Sequence, residues 1–273
     1  MAQRVAQRTA QRTALITGAS SGIGEAFADV FAAEGFDLVL TARREDKLNA
    51  VAARLRERHG RRVDTVAIDH SERTATTRLC DELEARGITV DALVNNAGYG
   101  VPGLYANVPW ATQETMLQLM VVGVAELTRR LWPGMLDRGY GRVINVASLA
   151  GLVPAPAGHT LYGATKAFLI KFSEALAQEG RPHGVHVTAI CPGFTRSEFH
   201  DVTGARVQMQ KLPSWFWLDA GTVARAGFAA VEAGTPVCVI GGVNRAIALA
   251  VRYVPQWLVN LVGRRLAKAY RKT

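Results

Sequence analysis

The chain has 273 residues, 49% hydrophobic and 20% charged, at a mean hydropathy of +0.08, enough for one large α/β domain with a real core or for two small ones. Its net charge of +9 sits at the two ends: removing the three arginines of residues 1–13 and the seven basic residues of 245–273, stretches without an acid, leaves 22 basic against 23 acidic residues. A nearly neutral body is not what a nucleic-acid-binding core looks like, so no nucleic-acid partner is expected.

Residues 1–12 repeat AQR at a four-residue period and read as a frayed, basic, solvated extension. They lack the apolar run of a secretory signal, although an Arg-rich, acid-poor start shares composition with transit peptides. Thr13–Thr17 is a short β-prone run that ends in Gly18-Ala19-Ser20-Ser21-Gly22-Ile23-Gly24. An alanine-rich helical pattern follows from Glu25 to Glu34, closed by Gly35. Strand, glycine turn and helix together bring a helix N-terminus and free backbone N–H groups to face a pyrophosphate. The spacing is GxxxGxG rather than GxGxxG, and a glycine turn alone is a weak signal.

Further strands are predicted at 37–43, 62–70, 91–98, 141–148, 184–193 and 236–240. Helices are predicted at 45–59, 74–86, 110–138, 161–180 and 220–233, the last with Asp219 as N-cap. Regular alternation of this kind implies a doubly wound parallel sheet of about seven strands with helices on both faces, in a single Rossmann-like domain over 13–244. Cys80, Cys191 and Cys238 are odd in number and contain no CxxC. They point to neither a disulfide framework nor a zinc site and fit a reducing, cytoplasmic compartment. The histidines show no metal-ligand spacing.

Tyr162 and Lys166 lie four residues apart in YGATK, one turn apart on one helical face. A fixed ammonium favours the phenolate of a neighbouring tyrosine, whose reference pKa is about 10. YxxxK is common by chance, but it is not alone here. TGASSGIG (17–24), NNAG (95–98), Ser148 in VINVASLAG, YGATK (162–166) and Pro192-Gly193 occur in an order and spacing that resemble the short-chain dehydrogenase/reductase family. The resemblance covers roughly residues 13–200 through motifs and the rest through general pattern.

That resemblance implies hydride transfer between a nicotinamide cofactor and an alcohol or carbonyl. Tyr162 would be the general acid/base and Ser148, 14 residues earlier, a hydrogen-bond donor to the substrate oxygen. Lys166 would lower the phenol pKa and hold the nicotinamide ribose. By the same precedent Gly18, Ser20, Ser21, Gly22, Ile23 and Gly24 cradle the cofactor. Asp69 and His70 flank its adenine, Asn95 steadies the central strands, and Ala97 and Gly98 pass close to it. Pro192, Gly193, Thr195 and Ser197 complete the cofactor set. One family position departs: counting back thirteen residues from Pro133 places Met120 where the family usually carries an asparagine that supports a proton-relaying water. A thioether has no strong hydrogen-bonding group, so a catalytically weak dinucleotide-binding sensor or scaffold stands as the alternative function.

An NAD-preferring member of the family usually carries an acid at the end of the second strand; here stand Ala42 and Arg43, with Arg44 next. A guanidinium binds phosphate in fork geometry, which predicts NADP(H) over NAD(H). Tyr99, Leu104 and Tyr105 and the aromatic Trp215-Phe216-Trp217 near the end of a variable lid (198–218) predict an apolar pocket and a hydrophobic small-molecule substrate. The family's habit of pairing the helices at 110–138 and 161–180 implies a homodimer or homotetramer. The last segment, 245–273, is both basic and apolar, and Pro255 splits it. It contains no run suited to a transmembrane helix. It is expected to be helical and to lie on a membrane surface or to pack on the domain or a partner subunit.

Overall fold

The computed structural model describes residues 11–155, 157–196 and 216–254. Seven parallel strands form one sheet: β1 (Thr13–Thr17), β2 (Asp37–Ala42), β3 (Val63–Ala67), β4 (Ala92–Asn95), β5 (Gly141–Val146), β6 (Val185–Cys191) and β7 (Val237–Val239). Their order in space is β3-β2-β1-β4-β5-β6-β7. The winding reverses between β1 and β4, and a crevice opens outside the carboxyl ends of the strands at such a reversal. Strands buried on both faces explain the apolar runs in the sequence.

Helices α1 (Gly22–Ala33), α2 (Glu45–His59) and α7 (Ala220–Glu232) cover one face. There Phe27, Phe31, Leu38, Leu40, Leu48 and Ile190 are fully out of solvent. Phe31 meets Phe36 and Phe228 edge-on at 5.1 and 5.0 Å, a geometry favoured by the ring quadrupoles. Helices α3 (Ala75–Ala85), α4 (Trp110–Leu117), α5 (Gly123–Asp137) and α6 (Thr160–Gly180) lie on the other. Its core includes Leu15, Val39, Leu79, Leu93, Trp132 and Met135. Asp219 caps α7 as expected, accepting a hydrogen bond from the Thr222 N–H at 3.0 Å.

Three departures from the sequence reading have physical causes. Strand β4 stops at Asn95 rather than 98, because the N–H groups of Asn96 and Ala97 both leave the ladder to donate to Thr17 Oγ1, each at 3.0 Å. The helix expected over 110–138 is interrupted by a π-helical turn, Gln118–Val122, a one-residue insertion that re-aims the side chains around it. Residues 11 and 12, placed with the frayed extension, belong to the body. Gln11 donates to the Gly35 carbonyl at 2.7 Å, and the Arg12 guanidinium stacks 3.7 Å from the Tyr140 ring centre.

A final helix, α8 (Gly242–Tyr253), begins three residues before the basic segment starts. The later part of that segment, Ser197 and most of the lid lie outside the described residues. Among the described residues, no helix is long and apolar enough to cross a membrane.

Candidate active site

The site gathers at the carboxyl ends of β1, β4, β5 and β6. After β1, Gly18 and Gly22 take φ of +66° and +61°, left-handed conformations that glycine adopts without penalty. A Cβ on Gly24 would stand 2.3 Å from the Gly18 carbonyl oxygen, so only glycine lets the helix begin that close to the turn. Asn96 locks the same turn by donating from Nδ2 to the carbonyls of Thr17 (2.9 Å) and Gly18 (3.1 Å). The N-terminal N–H groups of α1 and the Ser20 and Ser21 hydroxyls line this cradle. An anion is the ligand that such a helix start accepts.

Ser148 follows β5 and starts a short 3₁₀ turn, Leu149–Gly151, whose Ala150 N–H donates to the Ser148 Oγ at 3.1 Å. The turn is tied to the loop after β6 by Leu149 N–H to the Pro192 carbonyl at 2.9 Å. Ser148 stands close enough to Tyr162 to act on its phenol, and Tyr162 keeps part of its surface open. Lys166, one turn later on α6, is 6% exposed and places Nζ 5.6 Å from the Tyr162 ring centre. Three residues that are far apart in sequence therefore stand together.

The electrostatics correct one expectation. On balance the Tyr162 phenol is not lowered: burial pushes it up to about 12, with Ser148 acting against it. Lys166 donates from Nζ to the Val146 carbonyl, 2.7 Å away, and burial brings its own pKa down to about 8. Desolvation dominates both groups. At neutral pH the pair consists of a protonated phenol beside an ammonium.

Met120 lies in the π turn, 1% exposed, packed with Tyr99, Val101, Leu161 and Tyr162. A Cβ on Gly98 would sit 3.5 Å from its sulfur. The position counted from Pro133 therefore does abut the tyrosine, with a thioether in place of an amide.

Asn95 belongs to a buried chain that the sequence did not reveal. Its Nδ2 donates to Thr128 Oγ1 (3.1 Å) and Asn145 Oδ1 (2.8 Å), and Asn145 Nδ2 donates to Ser173 Oγ (2.8 Å). This chain ties α5, β4, β5 and α6 together beneath Lys166. Thr17, Asn96 and Asn145 were not singled out. The available signal was polar residues inside otherwise apolar strands, which must find partners when buried.

The remaining cofactor candidates divide. Arg44 donates to Ser20 Oγ (3.2 Å) and Ser21 Oγ (3.1 Å), over the glycine turn. Arg43 is exposed and lies 3.6 Å from Asp69. Burial works to raise the Asp69 carboxyl, but hydrogen bonds from Ser71 and the Arg43 charge outweigh it and leave its pKa below the usual value. His70 turns its imidazole inward, 3.1 Å from Thr41 Oγ1, and burial lowers it to about 4. Its side chain is thus engaged by the core rather than offered to an adenine. Thr195 is 5% exposed and donates to the Gly193 carbonyl at 3.2 Å, and Ile23 packs against the core. Cys191 and Cys238 pack on opposite sides of the sheet. Among the described residues, no group of three His, Cys, Asp or Glu side chains could hold a metal ion.

The short chain dehydrogenase family model matches residues 12–207. The chain belongs to the short-chain dehydrogenase family of oxidoreductases. It is 38% identical over 171 residues to sulfoacetaldehyde reductase 2 of Chromohalobacter salexigens, covering 62% of this chain and 67% of that one. To the very-long-chain 3-oxoacyl-CoA reductase of Mus musculus it is 34% identical over 169 residues, 60% of this chain and 53% of that one. The match thus spans about two thirds of the first relative and about half of the second. A short-chain dehydrogenase from Sphingobium yanoikuyae, solved in complex with NADPH, superposes with a TM-score of 0.78 at 32% identity, covering 87% of this chain and 92% of that one. The glycine cradle and the arginines beside it suit a cofactor of this kind.

Proposed function

We propose that the protein is an NADP(H)-dependent reductase or alcohol dehydrogenase acting on an apolar ketone, aldehyde or alcohol. The observation that carries this reading is the gathering of Ser148, Tyr162 and the buried Lys166 at the same crevice as the glycine turn. NADP(H), when bound, supplies or takes up the hydride.

The chain's own residues do the rest. In the reductive direction Tyr162 gives its phenolic proton to the carbonyl oxygen while the carbon is reduced. Its high pKa keeps that proton in place at neutral pH until negative charge develops on the oxygen. Ser148 donates a hydrogen bond to the same oxygen. Once the phenol has given up its proton, Lys166 stabilises the anion, and an amine with a pKa near 8 is well matched to return a proton. Met120 cannot carry one, so Lys166 is the group on which this return depends.

Arg44 and Ser20 support a preference for NADP(H), because a 2′-phosphate placed there meets a guanidinium and a hydroxyl instead of an acid. Exposed Leu104 and Tyr105, with partly buried Tyr99 and Val101 beside Met120 and Tyr162, support an apolar pocket. So does Trp217, whose ring lies 5.9 Å from that of Phe194 after β6. Exposed Trp110 and Val122 along α4 and the π turn support pairing of that face in an oligomer.

NADPH oxidation is followed with a panel of ketones and aldehydes graded in polarity. Turnover is expected with bulky apolar carbonyls, and kcat/KM falls by about 10²–10⁴ in Tyr162→Phe while NADPH binding persists. NADPH binding without Tyr162-dependent turnover of any carbonyl would favour the sensor or scaffold reading, to which Met120 alone gives support.

A further inference from the structure

A glycine is required where φ is positive or where a neighbour approaches too closely for a Cβ. Gly193, on the loop after β6, is not among the left-handed glycines, which leaves close approach. A Cβ there would meet Nδ2, Oδ1 and Cγ of Asn244 at 2.5, 2.6 and 2.8 Å. The amide of Asn244 therefore occupies the space in which a side chain at 193 would stand.

Asn244 is held in that place from the side of α8. It is the third residue of the helix and 6% exposed, and its Nδ2 donates to the Ile240 carbonyl just past β7, at 2.7 Å. Gly241, at φ +94°, leaves room for it, since a Cβ at 241 would stand 3.1 Å from the same Nδ2. The Ile240 N–H in turn donates to the Cys191 carbonyl at 3.3 Å. One buried amide is thus wedged between two glycines, one from each of the loops that leave β6 and β7. Beyond Gly193 lies the catalytic crevice. The Pro192 carbonyl accepts from the N–H of Leu149, first residue of the turn that Ser148 starts, at 2.9 Å. The Gly193 carbonyl accepts from Thr195 Oγ1 at 3.2 Å.

We infer that Asn244 is a positioning residue of the catalytic crevice. Its amide fixes Gly193, Gly193 fixes the Pro192 carbonyl beside it, and that carbonyl fixes the turn on which Ser148 presents its hydroxyl. The inference rests on the reading of Ser148 and Tyr162 as the groups that act on the substrate oxygen. Withdrawing the wedge lets the loop move toward α8 and takes the Ser148 turn with it. A displacement of about 1 Å in such a group is enough to cost about a hundredfold in rate.

Two variants of the full chain test this. Asn244→Ala withdraws the amide. Asn244→Ser withdraws it too, but its hydroxyl bonds back to the Ile240 carbonyl four residues earlier, which protects the fold if the alanine variant is too unstable. Hydrogen exchange of the Leu149 amide is followed in both without cofactor, with the β2 amides of Val39 and Leu40 as reference. Exchange at Leu149 is expected to quicken by about three- to tenfold, one hydrogen bond's worth of restraint, while the β2 amides stay unchanged. Size gives a second readout. Gly193→Ala is expected to lower the unfolding temperature in the parent and to be tolerated in the Asn244→Ala background, where the methyl fills vacated space. In turnover of a carbonyl, kcat is expected to fall by about ten- to a hundredfold with KM nearly unchanged. A merely structural residue would lower the unfolding temperature and leave kcat of the folded enzyme as it was. An unchanged Leu149 exchange rate, no rescue of Gly193→Ala, or a parental kcat in Asn244→Ser would overturn the inference. Exchange and unfolding are read without cofactor or substrate. A parent protein that turns over no carbonyl therefore counts against the proposed reaction alone, and the coupling of Asn244 to the Ser148 turn stands or falls on the other two readouts.

Discussion

Replacing Lys166 by methionine separates the energetic role of a buried ammonium from its chemical one. In the wild-type chain burial brings the lysine from 10.5 to about 8, a drop that corresponds to about 3 kcal/mol of folding free energy lost in keeping it charged. Between these two pKa values the unfolded chain holds more protons than the folded one, so wild-type stability rises with pH across that window. Below about pH 8 the full cost is present. Tyr162 acts in the opposite sense only above about pH 10, where the unfolded phenol ionises first. Methionine removes the lysine's cost but takes the donor away from the Val146 carbonyl, a loss of about 1–2 kcal/mol. Lys166→Met is therefore expected to be more stable than wild type by about 1–2 kcal/mol at pH 7. The advantage should shrink by up to about 1.4 kcal/mol per pH unit above pH 8 and vanish or reverse by pH 10. Urea unfolding of both proteins without cofactor at pH 7, 8, 9 and 10 measures this. Stability curves that run parallel over that range would refute the account of a buried, destabilised ammonium.

The other expectations follow from single contacts. Gly24→Ala forces a Cβ to within 2.3 Å of the Gly18 carbonyl; it should cost about 1–3 kcal/mol in unfolding experiments and abolish NADPH binding in calorimetry. Arg44→Ala should weaken NADPH binding by about ten- to a hundredfold, the worth of a charge-assisted hydrogen bond, and leave NADH binding unchanged; equal losses for both cofactors would remove the arginine from phosphate recognition. Asn145→Leu takes one partner from the Asn95 amide, which keeps Thr128, and one from the Ser173 hydroxyl, which keeps the Leu169 carbonyl, and should lower stability by about 1–3 kcal/mol. The double variant Asn95→Leu/Asn145→Leu is expected to lose less than the sum of the single losses.

Much of the fold is legible from pattern because its strands are short apolar runs bounded by glycine and its helices carry regular apolar spacing. Helix α2 and strand β1 fall at their predicted limits. The end of β4 moved because of contacts across the sheet. Nothing local to NNAG says that Asn96 and Ala97 abandon their ladder for Thr17, 79 and 80 residues away. The π turn at 118–122 is hidden for a similar reason, since an apolar run such as QLMVV suits an unbroken helix equally well.

The sequence by itself determined the inventory: a glycine turn, a serine, a tyrosine and lysine one helical turn apart, and a basic, apolar end. These are choices of residue type and spacing along the chain, and helical periodicity alone places Tyr162 and Lys166 on one face. Only the tertiary structure decided the state of that inventory. Packing of α6 against β5 turns Lys166 to the Val146 carbonyl, and burial raises the Tyr162 phenol. The approach of the β2 end to the glycine turn seats Arg44 over Ser20 and Ser21, and Asp69 engages Arg43. The seating of α8 on the loop after β6, through Asn244 against Gly193, is likewise a product of the fold. Desolvation and through-space pairing depend on what surrounds an atom, and a one-dimensional chain does not specify those surroundings until it has folded.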